Sequence, residues 1–210
     1  MIRVLIVDDH TIVRQGLKQI LAETRDIVVM AEACNGQEAI QQVRQTDFDV
    51  VLLDVSMPAM DGFSALGLIK QERPELRVLV LSMYPEEQYA VRLLKAGAAG
   101  YLTKESASEE LIGAIRKIAD GRRYITLALA ESLAFALGPE AEQPPHELLS
   151  DREFQVMQAI ASGKSVSDIA GELALSVKTV STYRTRILEK MGLKTNAEIM
   201  RYAMQQGLVL

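Results

Sequence analysis

The sequence predicts an α/β domain, a doubly wound five-stranded parallel sheet, followed by a small all-α domain. Three observations carry this. Short, nearly continuous apolar runs occur at Ile2 to Val7, Ile27 to Ala31, Val50 to Leu53, Val78 to Leu81 and Ala98 to Leu102, as strands covered on both faces require. Helical patterns separate these runs. From Leu148 onward the strand pattern does not return, and helix-start signals take over.

The first strand opens the chain as MIRVLIVDDH, an apolar run that ends in two aspartates and is far too short for a secretory segment. Nothing later approaches the ~20 apolar residues of a membrane span, so a soluble, cytoplasmic protein is expected. Val13, Leu17, Ile20 and Leu21 share one face of the first helix, and Leu111, Ile115 and Ile118 share one face of the helix after the fifth strand. Ser106 with Glu109 matches a capping box at the start of that last helix. Right-handed crossovers between parallel strands then lead to the flavodoxin-like strand order 2-1-3-4-5. This domain is expected over residues 1–120.

Residues 121–147 are expected to be a linker. Thr126 to Leu137 is alanine-rich and suggests a connecting helix; Gly138, Pro139 and the pair Pro144-Pro145 suggest a semi-rigid continuation. Residues 148–210 form the helical domain. Ser150 with Glu153, Ser165 with Asp168 and Thr195 with Glu198 match capping boxes for three of its four expected helices.

Composition narrows the function classes. The formal net charge of -5 argues against a surface coated in basic charge, so any nucleic-acid contact must be local. It is local: Lys178, Arg184, Arg186, Lys190 and Lys194 face the single acid Glu189 within one predicted helix. A single cysteine, Cys34, excludes an internal disulfide and any multi-cysteine zinc site, and the histidines His10 and His146 do not supply a metal cluster. Cys34 is read as a small buried residue, and His10 as a helix-start residue without a catalytic role.

In an open α/β sheet, ligands gather beyond the carboxyl ends of the strands where the strand order reverses, here between strands 1 and 3. Asp8 and Asp9 end strand 1, Asp54 ends strand 3, Ser82 ends strand 4, and Lys104 follows strand 5. Converging carboxylates repel one another, which raises a pKa or recruits a hard cation such as Mg²⁺. The set makes chemical sense if Asp54 accepts a phosphoryl group, with the cation offsetting the charge on the transferring oxygens and Lys104 pairing with them.

The segments VDDH (Val7 to His10), LLDVSMPAMDG (Leu52 to Gly62), LSM (Leu81 to Met83) and AGAAGYLTK (Ala96 to Lys104) resemble the receiver domain of two-component response regulators. The resemblance implies phosphorylation at Asp54 and Mg²⁺ held by Asp9, Asp54 and the backbone carbonyl of Ser56, with Asp8 supporting. It also makes Ser82 the switch hydroxyl, Tyr101 the rotating aromatic and Lys104 the phosphoryl partner. Glu105 departs from the pattern, because many receivers place proline after the lysine.

In the second domain, Val166, Ile169, Ala170 and Leu173 share a helix face, and a turn near Leu175 and Ser176 precedes the next helix, a helix-turn-helix spacing. With Val180 at the centre of the buried face, Ile187 and Met191 fall within about 20° of it and Arg184 at about 40°, which argues against Arg184 as a base reader. Lys178, Thr182, Thr185 and Arg186 lie on the opposite face, with Ser181 at its edge, a mixture suited to base edges and phosphates. Leu149 to Ala203 resembles the effector domain of NarL/FixJ (LuxR-type) regulators. That likeness implies base contacts from Ser181, Thr182 and Thr185, and backbone contacts from Lys178, Thr179, Tyr183, Arg186 and Lys190. It further implies dimerisation through the last helix, around Ala197 to Gln206, on a two-fold DNA site.

The expected protein is therefore a transcription regulator, not an enzyme, whose phosphorylation at Asp54 by a sensor histidine kinase controls dimerisation and sequence-specific DNA binding. Its partners are DNA, the kinase, a second copy of the chain and RNA polymerase, with no membrane. A magnesium-dependent phosphotransferase or phosphatase using the same carboxylates, and a phospho-switched protein-binding module, stand as alternatives.

Overall fold

A computed structural model describes residues 1–210 apart from 58–59, 61, 84–85, 127–128, 131–143, 174 and 210, and the backbone alone at 86–88 and 151. It divides into two compact units, Met1–Leu133 and Ala134–Leu210. The division falls inside the stretch expected to be a linker. Of the connecting helix expected there, only Leu129 and Ala130 are seen in helical form, and its remainder to Leu137 lies outside the described residues.

The first unit alternates strand and helix. Its elements are β1 (Ile2–Val7), α1 (Thr11–Ala22), β2 (Ile27–Ala33), α2 (Gly36–Gln45), β3 (Val50–Asp54), α3 (Gly62–Glu72), β4 (Arg77–Ser82), α4 (Glu86–Lys95), β5 (Gly100–Thr103) and α5 (Ala107–Ala119). All strand pairs are parallel and their order is β2-β1-β3-β4-β5. Every residue of β3 is buried, as a central strand covered by helices on both faces should be. On one face, Val4, Ile6, Leu52, Leu79 and Leu81 pack with Leu17 and Leu21 of α1 and Leu111, Ile115 and Ile118 of α5. Burial of each such side chain contributes about 1.5–3 kcal/mol, offsetting the entropy of ordering the chain.

β5 begins later than its apolar run suggests. Gly97 has φ 104° and the Ala98 N–H still donates to Leu93 O at 3.0 Å, so these residues close α4 before the strand starts. The expected capping box at Ser106 is absent. Ser106 has helical backbone angles and no capping bond; its hydroxyl instead lies 2.7 Å from Thr103 Oγ1, which competes for it. Cys34 is exposed rather than buried, because it follows β2 in the turn before α2, where its thiol donates to Glu38 Oε1 at 3.1 Å. That carboxylate pushes the thiol above its usual pKa.

The second unit has a 3₁₀ turn at Pro145–Leu148, then α6 (Asp151–Ala161), α7 (Val166–Glu172), α8 (Val177–Met191) and α9 (Asn196–Gln205). Reciprocal capping boxes form at Ser150 with Glu153 and at Ser165 with Asp168. At Thr195 only half of the box forms: its hydroxyl accepts from Glu198 N–H, while the Glu198 carboxylate turns to the N–H of Lys194 at 2.6 Å. Val180, Ile187 and Met191 are the buried residues of α8, the three that a 100° step places together. Phe154, Ile169 and Ile199 join them in the interior of this unit. Among the described residues no helix is long and apolar enough to cross a membrane.

Candidate functional site

The order β2-β1-β3 reverses direction at β1, so the ends of β1 and β3 frame a crevice. Asp8 and Asp54 stand there, each with its side chain 1% exposed, while Asp9 is partly open to solvent. Lys104 bridges the two buried carboxylates, its Nζ 2.7 Å from Asp8 Oδ2 and 2.9 Å from Asp54 Oδ2. Backbone bonds set the remaining oxygens: the His10 N–H donates to Asp8 Oδ1 at 2.8 Å, and the Ser56 N–H to Asp54 Oδ1 at 3.2 Å. Gly62, at the start of α3, lets that loop close on the site. Its N–H donates to Val55 O at 3.0 Å, and a Cβ there would lie 2.4 Å from Asp54 O.

Burial pushes the Asp54 carboxyl above its ordinary pKa; the nearby Asp8 adds to this and Lys104 opposes it. Burial works to lower the Lys104 ammonium, but Asp54 and Asp8 outweigh it and hold the ammonium above its usual value. One cation thus serves two buried anions. Asp9 Oδ1 and Asp54 Oδ2 are buried and accept no aligned hydrogen bond, and ligand atoms of Asp8, Asp9, His10 and Asp54 lie within 4.8 Å of one another. Oxygen donors with unused lone pairs, an excess of negative charge and this spacing fit a hard divalent cation.

Ser82 and Tyr101 are fully buried on the neighbouring strands. Ser82 pairs with Thr103 in the ladder, and the Lys104 N–H donates to Ser82 O at 2.7 Å, so Ser82 and Lys104 share one backbone frame. Glu105 brings no cis bond; none occurs among the described residues. Sequence reasoning read His10 as a helix-start residue and gave it no place in the pocket. It sits at the N-cap of α1, as expected, but its Nδ1 also approaches Asp9 Oδ1 to 2.8 Å and so joins the rim of the pocket. The sequence signal was its place directly after the acidic pair.

In the second unit, Ser176 caps α8 by accepting from the Thr179 N–H at 3.0 Å. Lys178, Ser181, Thr182, Thr185 and Arg186 are exposed on the resulting helix, and Thr179 and Tyr183 flank them half-buried. The hydroxyls of Ser181, Thr182 and Thr185 donate to the carbonyls of Val177, Lys178 and Ser181, leaving their lone pairs outward. Arg184 faces inward and binds Asn196 Oδ1 at 2.6 Å. Lys190, expected at a DNA phosphate, is exposed and makes an ion pair within the unit: its Nζ lies 2.6 Å from the buried Glu153 carboxylate and 3.3 Å from Leu148 O, bracing α8 against α6.

A doubly wound domain with an acid-and-ammonium pocket at its switch point, in one chain with a helix-turn-helix unit, defines a class of two-domain regulators. Residues 4–116 match the response regulator receiver domain and residues 147–203 the bacterial regulatory proteins of the luxR family, and the chain belongs to the response regulators that combine a receiver with a LuxR-type DNA-binding domain. It is 39% identical over 210 residues to the response regulator GacA of Pseudomonas viridiflava, covering 100% of this chain and 98% of that one. To the response regulator UvrY of Escherichia coli K12 it is 38% identical over 209 residues, covering 99% and 96%. Among solved structures, RcsB of Salmonella enterica serovar Typhimurium, bound to promoter rprA in the presence of the phosphomimetic BeF₃⁻, is similar with a TM-score of 0.66 and 26% identity, covering 97% of this chain and 99% of that one.

Proposed function

We propose that Asp54 accepts a phosphoryl group from a sensor histidine kinase and that the modified protein dimerises and binds a two-fold DNA site to regulate transcription. The observation that carries this reading is the buried Asp54 carboxylate, with an oxygen free of aligned hydrogen bonds 2.9 Å from Lys104. In the transfer, an Asp54 oxygen attacks phosphorus, the phosphorus–nitrogen bond of the donor phosphohistidine breaks, and the electron pair leaves with the imidazole. Asp9, Asp54 and the Ser56 carbonyl would hold Mg²⁺, with Asp8 supporting; when bound, the ion offsets charge on the transferring oxygens. Lys104 leaves Asp54 for the new phosphoryl oxygens, which carry more charge than the carboxylate did. Ser82 follows the phosphoryl group, and Tyr101 repacks beside it.

Residues 1–120 act as the receiver, 121–147 as linker and 148–210 as DNA-binding domain, in the cytoplasm. Lys178, Thr179, Tyr183 and Arg186 contact the DNA backbone, and Ser181, Thr182 and Thr185 read base edges. RNA polymerase is the downstream partner. The test is incubation with acetyl phosphate and Mg²⁺ followed by intact-mass measurement, and DNA affinity with and without beryllofluoride. Gain of one phosphoryl mass and tighter binding, both lost in Asp54→Ala, support the reading; an equal response in Asp54→Ala refutes it.

A further inference from the structure

We propose that Tyr124 straps the chain leaving α5 onto β5, and that this strap carries the state of the phosphoryl pocket into the segment leading to the second domain. The proposal rests on the reading of Asp54 as phospho-acceptor. After α5 the backbone turns at Gly121, whose φ is 86°, and returns along the edge of the sheet. There the Tyr124 N–H donates to Ala99 O at 2.9 Å, and Tyr124 forms a parallel bridge with Gly100. One residue thus extends the sheet beyond β5.

The contact is built on both sides. A Cβ at Gly100 would lie 2.8 Å from Tyr124 O and 2.9 Å from Tyr124 Cβ, so only glycine admits the strap. Glycine weakens a strand interior unless another backbone approaches closely, as one does here. The phenol is held by α5: its hydroxyl donates to Glu110, and Lys117 Nζ lies 5.4 Å from the ring centroid, within cation–π reach. Backbone is fastened to β5 and side chain to α5.

The strap adjoins the switch. Gly100 precedes the buried Tyr101, and β5 runs on through Thr103 to Lys104, which pairs with Asp8 and Asp54. From Gly100 to Lys104 is four strand steps, about 13 Å. A strand is nearly inextensible, and a close-packed interior gives a repacking aromatic ring no slack, so a shift at Tyr101 or Lys104 displaces Gly100 and the residue bridged to it. Every covalent path from the receiver to the DNA-binding unit passes through Tyr124.

The experiment compares the two-domain chain as wild type, Gly100→Ala, Tyr124→Ala and Tyr124→Phe with and without Mg²⁺ and beryllofluoride. Amide hydrogen exchange at Tyr124 and DNA affinity are measured, and phosphoryl uptake from acetyl phosphate reports that the pocket is intact. Loading should change exchange at the wild-type Tyr124 amide by about threefold or more. Gly100→Ala and Tyr124→Ala should take up the phosphoryl group yet lose about fivefold or more of the loading-induced gain in affinity, with Tyr124→Phe intermediate. Loaded Gly100→Ala and Tyr124→Ala that gain as much affinity as wild type, or wild-type exchange at Tyr124 that ignores loading, overturn the strap alone. A wild type that takes up no phosphoryl group overturns the assignment of Asp54 and the strap with it.

Discussion

Replacing Lys104 with methionine removes the ammonium that lies between two carboxylates each 1% exposed, at 2.7 and 2.9 Å. At an effective dielectric of about 20, each contact carries about 6 kcal/mol of gross attraction, most of it offset by desolvation, and breaking a buried pair costs about 3–5 kcal/mol net. Protonation limits the loss, because a stranded carboxylate can neutralise itself. From the ordinary aspartate value of 3.8, protonating one carboxyl costs about 4.4 kcal/mol at pH 7 and about 1.6 at pH 5, at about 1.36 kcal/mol per unit. Lys104→Met should therefore destabilise the receiver by about 3–4 kcal/mol at pH 7 and by no more than about 1.6 at pH 5. Mg²⁺, binding the same oxygens, should restore most of the deficit at pH 7. Urea unfolding of the full chain by circular dichroism, with chelator or Mg²⁺ at both pH values, measures this in the transition that Mg²⁺ shifts. A deficit that is the same at both pH values and indifferent to Mg²⁺ would falsify the view of Lys104 as counter-ion to this pocket.

Other outcomes follow from particular contacts. Burial works to raise the Glu153 pKa, but Lys190 and the Ser150 groups outweigh it and hold it below its ordinary 4.5, so this stability is complete above pH 4.5 and lost as pH falls through the lower folded value. Lys190→Ala should cost about 1 kcal/mol at pH 7, discounted for the exposure of the lysine, and almost nothing in acid, read by thermal unfolding across pH. Ser150→Ala should lose about 1 kcal/mol with its capping box, whereas Ser106→Ala, which removes no cap, should lose much less; paired denaturant titrations separate them. Gly62→Ala drives a Cβ into Asp54 O at 2.4 Å and should cost more than about 2 kcal/mol and slow phosphoryl uptake, while Gly16→Ala, in helix α1 with nothing within 4 Å, should be stabilising by up to about 1 kcal/mol. Lys178→Ala and Arg186→Ala should each lower the salt dependence of DNA binding by about one counter-ion, whereas Arg184→Ala should leave the slope unchanged.

The sheet was legible because burial on both faces of parallel strands forces continuous apolar runs, which ended the right acids and hydroxyl at one rim. The buried stripe of α8 was legible for a similar reason, since Val180, Ile187 and Met191 recur with the helical period. Capping was legible only where nothing competed for the hydroxyl: Ser150 and Ser165 close their boxes, but Thr103 claims Ser106. Cys34 was misjudged because its residue type is more often interior, while its place in a turn beyond the strand end exposes it.

From the sequence alone came the residue classes, their periods and the family of the chain, because these depend on local pattern and on motifs contiguous in the chain. Tertiary structure alone decided that Lys104 spans both Asp8 and Asp54, that Lys190 pairs with Glu153, and that Gly100 makes room for Tyr124. Those pairings join residues up to 96 positions apart, and a charge or a gap finds its partner only once packing has brought distant segments within a few ångströms.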